Sequence, residues 1–278
     1  MLRSRKAAVI GSPVSHSKSP LIHEYWMRQN GIEGSYEAVE TPTAMLGQTI
    51  KRLKEKDYVG FNVTVPHKKD IIGFCDKVDT EASAIGAVNT VVINDSQMVG
   101  YNTDAAGFID NIKANAPASF SFRSGRAVVI GAGGAAHAVV YGLKKEVCPE
   151  IVIVNRTPVH AEGLARKFSA DAGSWFDLPY LLKDANLVVN ATSLGMAGPE
   201  GQVENELEID LSALPETALV NDLVYSPLMT GLLKKAEERG NPIVTGTGML
   251  AYQAAMAFEH WFAVRPKVTK GVLDLIQK

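Results

Sequence analysis

Short continuous apolar runs alternate along this chain with longer stretches of helical period. Residues 6–10 read as a buried strand broken by Gly11-Ser12-Pro13, and an amphipathic helix follows from Pro20 to about Asn30, with Gly31 as its stop and Ser19 as its N-cap. Residues 35–41 and 58–65 read as strands around a helix at 42–56. Pro66 then opens a helix with Lys68 in its first turn, and 76–86 forms a short helix. Two short strands close this first unit, and a helix from about Ala105 to Asn115 leads out of it. Further apolar runs at 127–130, 151–154, 187–190, 218–220 and 243–245 are spaced by helical segments at 135–147 and 228–239. Residues 197–210 are polar and read as a loop; a long helix spans 250–262, and the tail is helix-compatible from about Pro266. Strands alternating with helices predict an α/β protein with a largely parallel sheet.

The run at 126–137, RAVVIGAGGAAH, gives that pattern a chemical meaning. An apolar strand ends in Gly131, Ala132, Gly133 and Gly134, and Ala135 leads into a helix. Gly131 permits a sharp turn, Gly133 lets backbone approach a pyrophosphate, and Ala136 lets helix and strand pack closely. The helix N-terminus faces the anion. This is a dinucleotide-binding βα unit of Rossmann type. The next strand exits into Asn155-Arg156-Thr157, where an NAD-preferring protein would usually place an acid on the ribose 2′-OH. A guanidinium and a hydroxyl suit a 2′-phosphate instead, which favours NADP. The expected organisation is 1–103 plus 249–278 as a substrate-binding catalytic domain, and 104–248 as the NADP-binding domain, with C-terminal helices returning to the first.

Other candidates carry a bland reading beside the sharp one. Ser17 and Ser19 at a helix start could hold a small carboxylate, or Ser19 could only cap. A cation in a first helical turn is disfavoured by the helix dipole, so a lysine there loses its proton more easily; the plain alternative for Lys68 is a solvated surface residue like Lys69. Asp104 reads equally as an N-cap, Asn89 as a turn residue, and Tyr225, at a strand exit, as a half-buried aromatic.

Bulk properties narrow the rest. The 278 residues allow one or two domains, and a net charge of −2 gives no sign of a nucleic-acid or membrane partner. No apolar run is long enough to span a bilayer. Cys75 and Cys148 lie far apart in no paired motif, so a reducing cytoplasm is expected, with no metal cluster and no disulfide framework.

Nine runs in order carry a family resemblance: SHSKSP (15–20), NVTVPHK (62–68), GAVNT (86–90), NTDAAG (102–107), GAGGA (131–135), NRT (155–157), NATSLGM (190–196), DLVYSP (222–227) and GTGMLAYQAA (246–255). The chain resembles the shikimate dehydrogenases over nearly its whole length. That resemblance implies reversible NADP-dependent conversion of 3-dehydroshikimate to shikimate, in aromatic amino-acid biosynthesis, with no metal. It implies Lys68 as the catalytic lysine and Asp104 as its partner. Ser17, Ser19 and Tyr225 would hold the substrate carboxylate, and Thr64, Asn89 and Gln253 the ring hydroxyls or neighbouring atoms. The cofactor would meet Gly131–Ala135, Asn155, Arg156, Thr157 and Thr192, with Leu223 and Gly246 lining the nicotinamide pocket through backbone. One departure is His160, where several members carry a second basic residue. The resemblance leaves a monomer and a homodimer both open. It also leaves a broader quinate/shikimate dehydrogenase as an alternative, although quinate-preferring relatives often carry Thr where this chain has Ser19. A non-catalytic NADP-binding sensor should have lost Lys68 and Asp104. Gly246 and Gly248 are candidate hinges.

Overall fold

The computed structural model describes residues 5–95, 97–198 and 201–277. The chain divides into two compact units, one of Met1–Asp104 with Ala251–Ile276, the other of Ala105–Leu250.

The first unit is built on β1 (Arg5–Gly11), α1 (Ser19–Gln29), β2 (Gly34–Glu40), α2 (Leu46–Glu55), β3 (Tyr58–Val63), β4 (Lys77–Val78), α3 (Thr80–Ile85), β5 (Thr90–Asn94) and β6 (Gln97–Tyr101). Its six strands run in the order β2-β1-β3-β5-β6-β4. Strands β1, β2 and β3 are parallel, but β5 is antiparallel to both β3 and β6. The sheet is therefore mixed rather than largely parallel, because β5 and β6 are joined through Asp95 (φ 46°) by a connection too short for a crossover. One face packs Ile10, Phe61, Val63, Val91 and Met98 against Ile50 and Leu53 of α2, where apolar residues recur at helical spacing.

Two further expectations fail in this unit. Helix α1 starts at Ser19 itself; Lys18 stands at the N-cap, without a side-chain bond. It is Ser17 whose hydroxyl accepts the Ser19 N–H, at 3.3 Å. No α-helix opens at Pro66 either. The Lys68 carbonyl, which a helix would give to Ile72, accepts the Val88 N–H at 2.7 Å, and Ile72 bonds to Lys69 instead. The segment closes as a turn followed by a five-residue 3₁₀ stretch, Asp70–Phe74, so no helix dipole acts on Lys68.

The second unit contains α4 (Asp104–Asn115, leaving the first unit after its initial residue), β7 (Arg126–Ile130), α5 (Gly134–Lys145), β8 (Glu150–Val154), α6 (Pro158–Phe168), β9 (Asp171–Gly173), α7 (Leu178–Lys183), β10 (Ala185–Asn190), β11 (Leu219–Asp222), α8 (Gly231–Glu238) and β12 (Ile243–Val244). The strands form an all-parallel sheet in the order β12-β11-β10-β7-β8-β9. Starting at β7 the order reverses between β7 and β10, the switch point where such sheets bind ligands. Ala127–Ile130 and Leu187–Val189 are at most 1% exposed, as expected of strands covered on both faces.

Helix α9 (Gly246–Phe262) begins four residues before the expected Leu250, and α10 (Lys270–Gln277) ends the described chain. Gly246 and Gly248 thus lie inside a helix. A Cβ on Gly246 would collide with the Leu223 carbonyl oxygen, and one on Gly248 with Asn111 Oδ1. Close approach explains both glycines without motion. No helix among the described residues is long and apolar enough to cross a membrane.

Candidate active site

In the first unit, strand and turn ends gather a buried polar network. Lys68, in the turn after β3, donates from Nζ to Asp104 Oδ2 at 2.6 Å; the two side chains are 18% and 8% exposed. The other Asp104 oxygen, Oδ1, accepts Asn89 Nδ2–H at 2.8 Å, and the Asp104 N–H is held by Asn102 Oδ1 at 3.0 Å. Asn89 is 2% exposed and fully engaged: its Oδ1 accepts the Thr103 N–H at 2.8 Å, and its Nδ2 also reaches Thr103 Oγ1 at 2.9 Å and Gln253 Oε1 at 3.4 Å. Asp104 is therefore fixed through its backbone N–H and one carboxylate oxygen before any ligand arrives, and a primary ammonium is docked on the other oxygen. Such a pair can donate a proton to an oxygen placed beside Lys68.

The same network runs to α1. Asn62 Nδ2 donates to Thr90 Oγ1 at 3.0 Å and to the Asn89 carbonyl at 3.1 Å, while its Oδ1 accepts the Tyr36 hydroxyl at 2.7 Å. Burial pushes the Tyr36 phenol up, and a hydrogen bond with Ser19 opposes the rise. Ser19 is 5% exposed and Ser17 half-buried. Thr64 leaves β3 half-buried, its N–H on the Ile10 carbonyl at 2.9 Å.

In the second unit, Gly131 (φ +113°) turns the chain out of β7; a Cβ there would meet Thr192 Cγ2 at 2.9 Å. Gly133 caps α5 without a side-chain bond, no acid stands in the first turn, and a Cβ on Gly133 would enter open space. The first-turn N–H groups of this twelve-residue helix therefore have no capping side chain, which fits a pyrophosphate. At the exit of β8, Asn155 Nδ2 donates to the Thr157 carbonyl at 2.9 Å. Arg156 is exposed and makes no ion pair among the described residues. Thr192 bonds through N–H and hydroxyl to Asn190 Oδ1, at 3.0 and 2.7 Å. Tyr225 is half-buried, and burial raises its phenol.

Residues 9–91 match the shikimate dehydrogenase substrate binding domain, 114–199 the shikimate / quinate 5-dehydrogenase family, and 246–270 the shikimate 5'-dehydrogenase C-terminal domain. A shikimate dehydrogenase (NADP(+)) of Brucella abortus (strain S19) is 44% identical over 99% of this chain and 95% of its own. The chain belongs to the shikimate dehydrogenase family. Among solved structures, the shikimate 5-dehydrogenase of Thermus thermophilus in complex with NADP(H) and shikimate is similar with a TM-score of 0.87 and 36% identity, covering 98% of each chain. The quinate dehydrogenase of Corynebacterium glutamicum in complex with NAD is similar with a TM-score of 0.87 at 27% identity, covering 99% of this chain and 98% of that one.

As a shikimate dehydrogenase, the chain brings Lys68, Asn89, Asp104 and Gln253 into direct hydrogen-bond contact within the first unit. It sets Gly131–Ala135, Thr192, Leu223 and Gly246 at strand exits and helix starts of the second. Sequence reasoning missed Tyr36, Asn62 and Thr103 as members of the network. Asn62 carried a readable signal, a polar residue between Phe61 and Val63 in an otherwise apolar strand. Such a position needs a buried partner.

Proposed function

We propose that Lys68 and Asp104 carry the chemistry of a shikimate dehydrogenase: reversible NADPH-dependent reduction of 3-dehydroshikimate to shikimate, a step of aromatic amino-acid biosynthesis. The observation behind this assignment is the 2.6 Å contact of Lys68 with an Asp104 already anchored by Asn89. When bound, the cofactor supplies a hydride to the ketone carbon. Negative charge then builds on the ketone oxygen, where the Lys68 ammonium donates a proton and stabilises the developing alkoxide. Asp104 orients both Lys68 and the substrate hydroxyl and balances the charge of the Lys68 ammonium. Ser17, Ser19 and Tyr225 hold the substrate carboxylate. Thr64, Asn89 and Gln253 meet the ring hydroxyls or neighbouring atoms; an analogue lacking a hydroxyl would leave polar groups of the site unpaired.

The nucleotide assignments follow the same logic. Gly131–Ala135 and the start of α5 hold the pyrophosphate, and Asn155, Arg156 and Thr157 clasp the 2′-phosphate. Thr192, Leu223 and Gly246 line the nicotinamide position. The domains divide at 103/104 and 248/249, the first with the C-terminal helices binding substrate and the second NADP. We place the reaction in the cytoplasm, on a monomer or homodimer.

Absorbance at the NADPH band tests the function with four pairs, shikimate or quinate, each with NADP or NAD. Signal confined to shikimate with NADP is the expected result. Comparable signal with quinate or NAD would move the protein to the broader quinate/shikimate relatives, and silence in all four would leave a nucleotide-binding sensor.

A further inference from the structure

The Asp222 carboxylate takes no part in the chemistry above, yet it ends β11 with no exposed surface. Three donors converge on it. Oδ1 accepts Asn190 Nδ2–H and the Val224 N–H, each at 2.9 Å, and Oδ2 accepts the Thr230 hydroxyl at 2.7 Å. Asn190 ends the neighbouring β10, also fully buried, and its remaining bonds hold Thr192 and the Leu194 carbonyl. The turn after β10, the turn after β11 and the first turn of α8 therefore hang on one carboxylate–amide pair. Those two strand-exit turns carry Thr192, Leu223 and Tyr225.

We propose that ionised Asp222 is a positioning residue that fixes the turns bearing Thr192, Leu223 and Tyr225, and that its protonation loosens them. The proposal rests on the assignment of those residues to cofactor and substrate. A carboxylate has acceptor sites for all three donors, and bonds to it are stronger than those to a neutral group. Protonation turns one oxygen into a donor. A proton on Oδ2 forces the Thr230 hydroxyl to reverse and its oxygen to accept a second bond beside the Leu233 N–H, which it caps at 3.3 Å; a proton on Oδ1 instead opposes the Asn190 and Val224 N–H groups. The charged group facing Asp222 is Glu206, from the loop after β10, whose Oε2 lies 2.8 Å from where a Gly231 Cβ would stand. Neutral Asn190 faces it from β10 and Thr230 from the start of α8. Burial lifts the Asp222 carboxyl to about 6, with Glu206 adding to the lift and its three hydrogen bonds opposing it. The switch therefore falls within an accessible pH range.

The test compares wild type with Asp222→Asn, which has the shape and charge of the protonated acid. The dissociation constant for NADPH is measured by fluorescence titration from pH 8 to 5, alongside hydrogen-exchange protection of the Thr192, Leu194 and Val224 amides. The expected result is a wild-type constant that rises several-fold as pH falls through 6. The variant is weak throughout, and the two converge at the acid end. The ligand's 2′-phosphate titrates in the same window in both proteins, so the difference between the curves is what counts. Parallel curves with equal protection at every pH would overturn the proposal. Protection lost with acid in wild type only, with unchanged binding, would keep the positioning role and overturn the cofactor assignment. Thr230→Val provides a second check that keeps the carboxyl and removes one donor. Its acid limb should move to higher pH, and an unmoved limb would count against Asp222.

Discussion

Lys68 and Lys69 are neighbours in sequence and differ in what their chemistry can reach. Lys68 is tied to Asp104 at 2.6 Å, while Lys69 is exposed. Replacing Lys68 with Ala should lower kcat about a thousand-fold, the range of a lost general acid, with little change in KM for shikimate. Lys69→Ala should stay near wild type in the same steady-state assay; a matching loss there would show that the chemistry belongs to the other lysine. Arg156 makes the second residue-scale prediction. Its exposed guanidinium should meet the 2′-phosphate, so Arg156→Ala should raise KM for NADP roughly tenfold or more and leave that for NAD alone. Equal effects on both cofactors would remove the assignment. At this scale the motif residues were legible because short runs such as NTDAAG fix a residue and its spacing together. Tyr36 was not, since it sits 26 residues from Asn62 and only the parallel pairing of β1 with β2 and β3 brings them to 2.7 Å.

Elements were legible where burial made them simple. The runs at 127–130 and 187–190 read as strands because both faces are covered, so periodicity does not matter. The edge strand β9 and the short α7 lack such a signal: Asp171–Gly173 has two exposed residues among three. The misread start of α9 has a different cause. Gly-Thr-Gly reads as a loop, but Asn111 and the Leu223 backbone crowd those positions, so only glycine fits and the helix tolerates its low propensity. Asn111 Nδ2 also donates to the Thr245 carbonyl at 2.9 Å, holding the entry to the helix. Gly248→Ala should therefore destabilise by about 1–3 kcal/mol through overpacking, despite a propensity gain of about 1 kcal/mol. Combining it with Asn111→Ala should cost less than the two losses added, because truncating Asn111 removes the side chain that a Cβ at position 248 meets. Thermal unfolding of the four proteins measures this. A Gly248→Ala variant more stable than wild type would show that the crowding is relieved without cost.

Across the whole molecule, acid acts on the two units with opposite signs. In the first unit, His23 of α1 is fully buried, its ring stacked on Tyr36 at 4.2 Å, and neither ring nitrogen has a hydrogen-bond partner among the described residues. Burial lowers its pKa from 6.5 to about 3. The unfolded chain then binds a proton that the folded one refuses, so this contribution is complete above pH 6.5 and is lost as pH falls toward 3. In the second unit, Asp222 is raised to about 6, so its contribution is present at low pH and lost as pH rises through 6. Acidification should weaken the first unit, while protonation of Asp222 relieves a buried charge and favours the folded second unit over the unfolded chain, even as the three hydrogen bonds that hold its strand-exit turns are lost. At pH 5 the loss through His23 is about 2 kcal/mol relative to pH 8. Urea unfolding followed by tryptophan emission reads mainly the first unit, since Trp26 and Trp261 lie 5.9 and 5.4 Å from the His23 ring and only Trp175 belongs to the second. His23→Leu keeps the site apolar and removes the titration, so its stability should exceed that of wild type by a margin that grows between pH 7 and 5. A constant margin would mean that His23 takes up its proton as readily in the folded protein as in the unfolded chain, and the acid sensitivity of the first unit would have to come from its carboxylates instead.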